Sequence, residues 1–271
     1  MIVDAHHHLW DVTRGYPWLD DLPAINRTFT TTDLRDAIAP TDVRRTILVE
    51  AGRCDRAEVT EFLTLARGTP EIAGVVGWCD LAAPDLPQDS LLVGARSQIQ
   101  AETDRGYLAR EDVRRGLRTI ADRGLTYDLV VRVDQLRACA GAAAATPSLT
   151  FVLDHLGKPS IRDGAVGLAS WRRSVTPLAE LPNVYAKLSG LVTEASWNAW
   201  RPWDLHPFID TAIDLFGPQR LMFGSDWPVC LLAASYEQVF DAISDNLATL
   251  SAAEREEIFS GTAIRAYRLA L

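Results

Sequence analysis

Three of the five histidines in these 271 residues are consecutive, in the opening stretch MIVDAHHHLW. His6 and His8 stand two apart. Side chains alternate across a strand, so a strand over residues 2–5 that runs on toward them puts His6 and His8 on one face and His7 on the other. Such a pair at a strand end can hold a metal ion or a substrate carbonyl. Ile2-Val3-Asp4-Ala5 before the run and Leu9-Trp10-Asp11 after it leave no spacer or protease site, which argues against a purification tag. Two further residues belong with the pair. FVLDHLGKP puts His155 directly after an apolar run, and RLMFGSDWPV does the same for Asp226. Three imidazoles and one carboxylate offer metal ligands, hydrogen-bond donors and a proton acceptor, provided that the fold brings the three segments together.

The elements that must do so are legible as short apolar runs over residues 2–5, 45–50, 72–77, 92–96, 127–132, 149–154, 184–188 and 220–224. Nearly all-apolar strands are those of a parallel sheet covered on both faces. Amphipathic stretches over 31–39, 56–67, 110–123, 135–145, 172–181, 207–216 and 236–247 predict helices between and after them, followed by a terminal helical stretch. Eight such units predict a closed (β/α)8 TIM barrel, one domain spanning 1–271, near the roughly 250 residues that such barrels occupy. The segment CDLAAPDLPQDS, between the third and fourth strands, holds two prolines and is too short for a full helix, so the third helix is expected to be shortened or missing. A doubly wound open sheet would want a glycine-rich phosphate loop after the first strand, and none is present. In a barrel the site lies at the C-terminal strand ends, where His6, His8, His155 and Asp226 all fall.

A formal net charge of −9 argues against a nucleic-acid surface. Cys54, Cys79, Cys139 and Cys230 form no CxxC pair, which favours reduced thiols and a cytoplasmic location. No apolar run approaches the roughly 20 residues of a membrane helix, and no leader is read before the first strand.

DAHHHLWD, GARSQIQ, FVLDHLGKP, NVYAKLSGL and RLMFGSDWPV together resemble the amidohydrolase superfamily. More narrowly they resemble its sugar-lactonase branch, which contains L-fuconolactonases, L-rhamnonolactonases and 2-pyrone-4,6-dicarboxylate lactonase. The likeness runs nearly end to end and keeps the motif order. It implies a barrel hydrolase that opens a lactone to the aldonic acid. By that resemblance Asp226 is the general base for water, and His6, His8 and His155 surround the carbonyl oxygen. One divalent metal, Zn²⁺, would be held by His6, His8 and Asp226, with Glu50 as a substitute ligand. The branch also has metal-independent members. The chain departs from the wider superfamily in ending its fourth strand at Arg96, where binuclear members use a modified lysine, and in lacking a fifth-strand histidine in DLVVRVD.

Around this core, Arg96, Arg53 and Lys158 are candidate substrate-binding cations. Glu50, Gln98 and Ser189 would meet the polar side of a sugar ring. Trp10, Trp78 and Trp227 would stack on its apolar face, and Trp197 and Trp200 could form a lid. His206 is read as the start of an outer helix. The expected partner is a neutral or singly charged sugar lactone such as L-fuconolactone or L-rhamnonolactone. Two other functions fit parts of the pattern: a metal-dependent decarboxylase, which usually wants the missing fifth-strand histidine, and a non-catalytic sugar-binding barrel, which has no need of Asp226.

Overall fold

The computed structural model describes residues 1–271. Eight strands form one parallel sheet in chain order: β1 Ile2–His7, β2 Val43–Val49, β3 Ile72–Trp78, β4 Leu92–Ser97, β5 Thr126–Leu129, β6 Phe151–Leu153, β7 Val184–Leu188 and β8 Leu221–Phe223. The helices are α1 Thr31–Ile38, α2 Arg56–Arg67, α3 Glu111–Asp122, α4 Leu136–Ala145, α5 Gly164–Ala179, the short α6 Leu191–Glu194, α7 Pro202–Phe216, α8 Tyr236–Asn246, α9 Ala252–Glu256 and α10 Thr262–Tyr267. This is a nearly closed (β/α)8 barrel. Side chains of Thr30, Asp55 and Ser235 accept first-turn amides and fix where α1, α2 and α8 begin.

No helix lies between β3 and β4. The loop that replaces it packs directly on α3. A Cβ on Gly116 would stand 1.7 Å from the Leu81 carbonyl oxygen, so only glycine permits that approach. Two helices start earlier than their sequence signals. α7 uses Pro202 at its first position and carries Pro207 inside, and α5 begins at Gly164, ahead of the periodic stretch at 172.

β1 carries a bulge. Asp4 pairs with Thr46 and His7 with Leu48, so three steps on β1 meet two on β2. Val3 and Ala5 pack with Ile47, Val76, Val152 and Met222 and with Ala263 and Tyr267 of α10, which plugs the barrel from below. Strict alternation would send His7 inward after Ala5. The bulge re-aims the strand so that His6 and His8 point into the site instead. Asp4 anchors it, accepting from the backbone N–H of His6 at 3.0 Å and of Ser225 at 2.9 Å, and from the Tyr236 hydroxyl at 2.9 Å.

The barrel closes at this same place. No continuous ladder joins β8 to β1. The Asp226 N–H donates to His6 O at 2.8 Å, the His8 N–H donates to Trp227 O at 2.7 Å, and His7 and Trp227 form a single parallel bridge.

Candidate active site

Asp226 Oδ1 is the centre of the cluster. It lies 3.6 Å from His6 Nε2, 3.6 Å from His8 Nε2 and 3.8 Å from His155 Nε2. The two first-strand Nε2 atoms are 3.1 Å apart. Each outer ring is oriented from behind: His8 Nδ1 stands 2.9 Å from Val49 O, and His155 Nδ1 stands 2.9 Å from Ser189 Oγ. The backbone bends sharply to deliver these groups. Asp226 has φ +57° and His155 has φ +53°, left-handed values that cost a non-glycine residue free energy and collect at functional sites. Gly190, at φ +61°, leaves room for both; a Cβ there would sit 2.6 Å from His155 Nδ1 and 3.1 Å from Asp226 Oδ2.

Burial acts to raise the Asp226 carboxyl, but the electrostatic pull of His155 and His8 outweighs it and holds it below its ordinary value. Burial pushes His155 down to about 4 against the opposing pull of Asp226. It pushes His6 well below its ordinary value, with Asp154 opposing and Lys187 adding to the effect. At neutral pH the Asp226 carboxylate thus faces neutral rings at His6 and His155, a centre that can accept a proton and hydrogen-bond an oxygen.

A layer of buried charge lies beneath. Arg96 donates through Nε to Glu50 Oε1 at 2.6 Å and through Nη1 to Asp154 Oδ2 at 2.9 Å. Lys187 reaches Asp128 Oδ2 at 2.6 Å and Asp154 Oδ1 at 2.9 Å. The hydroxyl of Tyr267, from the plug helix, donates to Asp128 Oδ2 at 2.6 Å. Buried ions persist only when paired in this way. Lys187, Asp128 and Asp154 were not singled out in the sequence, although a lone lysine in VYAKL and a lone aspartate in TYDL are both visible in strands that are otherwise largely apolar.

Above the cluster opens a cavity of about 630 Å³. His8, His155, Asp226 and Arg96 line it, with Lys158, Arg162, Glu194, Gln98, Gln100, Trp18 and Trp197 around the walls. Several residues expected at or over the substrate are elsewhere. Glu50 lies under the cavity and holds Arg96 and the Gln98 amide. Arg53 is bound to Asp55 and Glu61. Trp10 is buried against Phe29 and Trp18 and donates to Arg27 O, and Trp227 stacks edge-on to Phe29. Trp78 does not line the cavity, and Trp200 is turned to Ala233 O. The indoles at the wall are Trp197, expected as part of a lid, and Trp18, in a single-turn helix over Pro17–Leu19 that the apolar pattern does not announce. His206 lies inside α7, 2.9 Å from Asn246 Oδ1.

His7 faces away from the cluster, fully buried, and neither ring nitrogen has a partner. His7→Ala is expected to cost about 1–3 kcal/mol of stability through lost packing, with kcat/KM within about threefold of wild type. His6→Ala and His8→Ala should each lose about 10²-fold or more. Parallel assays and melting curves on the three variants check this; equal losses at all three would contradict it.

The donor types and spacing fit one divalent ion. His6 Nε2, His8 Nε2 and Asp226 Oδ1 lie within 4.8 Å of one another. The Val49 carbonyl can only accept, so it keeps the His8 proton on Nδ1 and leaves Nε2 bare toward the cluster.

Residues 3–269 match the amidohydrolase family. An L-fucono-1,5-lactonase of Burkholderia multivorans is 39% identical over 98% of this chain and 96% of its own length. An L-fucono-1,5-lactonase of Burkholderia ambifaria is 32% identical over 98% of this chain and 95% of its own. The crystal structure of a Burkholderia multivorans amidohydrolase with bound zinc superposes with a TM-score of 0.95 at 38% identity, covering 100% of both chains.

Proposed function

The chain belongs to the amidohydrolase family, and from that premise we propose that it is a hydrolase that opens a sugar-derived lactone to the aldonic acid. The observation that carries the reading is the approach of three imidazole nitrogens to within 3.6–3.8 Å of one carboxylate oxygen under a cavity of sugar size. Near-full-length likeness to two L-fucono-1,5-lactonases supports it. On this reading residues 1–271 act as one domain in the cytoplasm.

A lactone carbonyl needs an activated water, a polarised oxygen and a proton for the departing alkoxide. Asp226 takes the proton from water through Oδ1. His155 and Arg96 line the place where the carbonyl oxygen gathers negative charge. Asp226 then returns its proton to the ring oxygen as the ester bond breaks. The new carboxylate meets Lys158 and Arg162 at the cavity wall, while Trp18 and Trp197 face the apolar side of the ring. When bound, a divalent ion such as Zn²⁺ at His6, His8 and Asp226 supplies Lewis acidity to the oxygen it contacts.

A pH-indicator assay across sugar lactones tests the reading, run with and without chelator. L-Fuconolactone is expected to be hydrolysed fastest, with L-rhamnonolactone next and pyrone dicarboxylate slow, because Lys158 and Arg162 are partly matched by Glu194. Fast turnover of the pyrone with inert sugar lactones would overturn the substrate class. CO₂ release from aromatic acids, with no lactone opened, would point to the decarboxylase instead.

A further inference from the structure

Lys187 Nζ donates to Asp128 Oδ2 at 2.6 Å and to His6 Nδ1 at 3.0 Å, and it stands 2.9 Å from Asp154 Oδ1 as an ion pair that leaves that oxygen without a hydrogen bond. An ammonium has no lone pair, so the His6 nitrogen facing it must be bare. The imidazole proton then sits on Nε2, which points at His8 Nε2 3.1 Å away. His8 has the opposite tautomer, fixed by Val49 O. One chain of donors and acceptors therefore runs from Lys187 through His6 and His8 to the Val49 carbonyl, and its one approach of donor to donor is the long one between Arg96 Nη1 and His6 Nε2 at 3.4 Å.

The other His6 tautomer has partners at longer range. Its Nδ1–H would reach Asp154 Oδ1 at 3.3 Å, and its bare Nε2 would face Arg96 Nη1 at 3.4 Å. It sets an N–H against the Lys187 ammonium and one bare Nε2 against another at 3.1 Å. A cation between the two rings removes the second conflict, because ligation requires both Nε2 atoms bare.

The geometry points to His6 as a tautomer switch with Lys187 and Asp154 as competing positioning residues. Lys187 holds the Nε2–H form, which closes the metal-free site with hydrogen bonds. Asp154 accepts Nδ1–H in the form that ligates a divalent cation. In passing between them the N–H bond at Nε2 breaks, one at Nδ1 forms, the ring stays neutral and no net proton leaves. Lys187 gives up its hydrogen bond to His6, so metal affinity is set against that bond. The inference concerns the ring's proton and does not depend on which lactone is the substrate.

Long-range ¹H–¹⁵N spectra of the full chain labelled at histidine nitrogen, stripped of metal by chelator, read the tautomer directly. The His6 signals are assigned by their loss in His6→Gln. The metal-free protein is expected to show a pyridine-type Nδ1 and a pyrrole-type Nε2 at His6, and zinc chloride is expected to make Nδ1 pyrrole-type. A pyrrole-type Nδ1 before metal is added, or no change on saturation with zinc, would overturn the switch. Asp154→Asn leaves Glu50 and Asp128 against Arg96 and Lys187, two charges of each sign, so the layer stays balanced. It is expected to keep the metal-free His6 spectrum and to weaken zinc binding in equilibrium dialysis by about 10–100-fold. Unchanged zinc affinity would remove Asp154 from the mechanism.

Discussion

Asp226→Asn is expected to lower kcat/KM on the best lactone by about 10³-fold, or about 4 kcal/mol of transition-state stabilisation, with the melting temperature close to wild type. The amide keeps the shape of the carboxylate and can still accept through one oxygen. It cannot take a proton from water, and three of the groups around Oδ1 are imidazoles whose nitrogens were arranged about an anion. The fold should tolerate the change because His155 and His6 are held below their ordinary values and so are neutral near pH 7. Removing the carboxylate therefore strands no opposite charge among them. Steady-state kinetics beside a thermal melt separates the two effects. Activity within tenfold of wild type would remove Asp226 from the role of general base.

Lys187→Ala is expected to act on stability, by about 3–5 kcal/mol, which for a chain of this size lowers the melting temperature on the order of 10 °C. The layer under the cavity contains Glu50, Asp128 and Asp154 against Arg96 and Lys187. Taking Lys187 away leaves three fully buried carboxylates to one guanidinium, and Asp128 keeps only the hydroxyls of Tyr267 and Thr126. Lys158→Ala at the cavity wall is the control, with an expected change under about 1 kcal/mol. Calorimetry on both variants decides the matter, and equal melting temperatures would show that the buried layer is held together by something other than this lysine.

The strands were legible because parallel strands covered on both faces must be apolar, and the proline-rich gap after Trp78 told that a helix is absent there. His6, His8, His155 and Asp226 were legible because polar residues abruptly end apolar runs. The bulge in β1 was not, since nothing in Asp4-Ala5-His6-His7 states that two consecutive residues will turn the same way; the structure reaches the expected pair by a route other than plain alternation. Trp10 and Arg53 show a different limit. Each follows a strand closely, yet each is drawn off by neighbours distant in sequence: Phe29 and the Arg27 carbonyl for Trp10, Glu61 for Arg53. Trp18, which reaches the cavity, lies in a segment without periodicity. Lys187 was visible as an anomaly, but its three partners come from β1, β5 and the end of β6, and only the closed barrel identifies them.

The seam between β8 and β1 is sewn beside the cavity, through the backbone of His8 and Asp226, which line it, and across a separation of 221 positions between Asp4 and Ser225. Contacts so far apart in sequence are among the last that a folding chain can make. The barrel's final closing step and the assembly of the His/Asp cluster are therefore one event. During refolding, helical signal should return first and lactone turnover should lag behind it, reporting the closing of the seam. A product acid that touches both His8 and Asp226 would behave as a clasp across the gap, raising the resistance of the whole barrel to heat in proportion to the logarithm of its concentration.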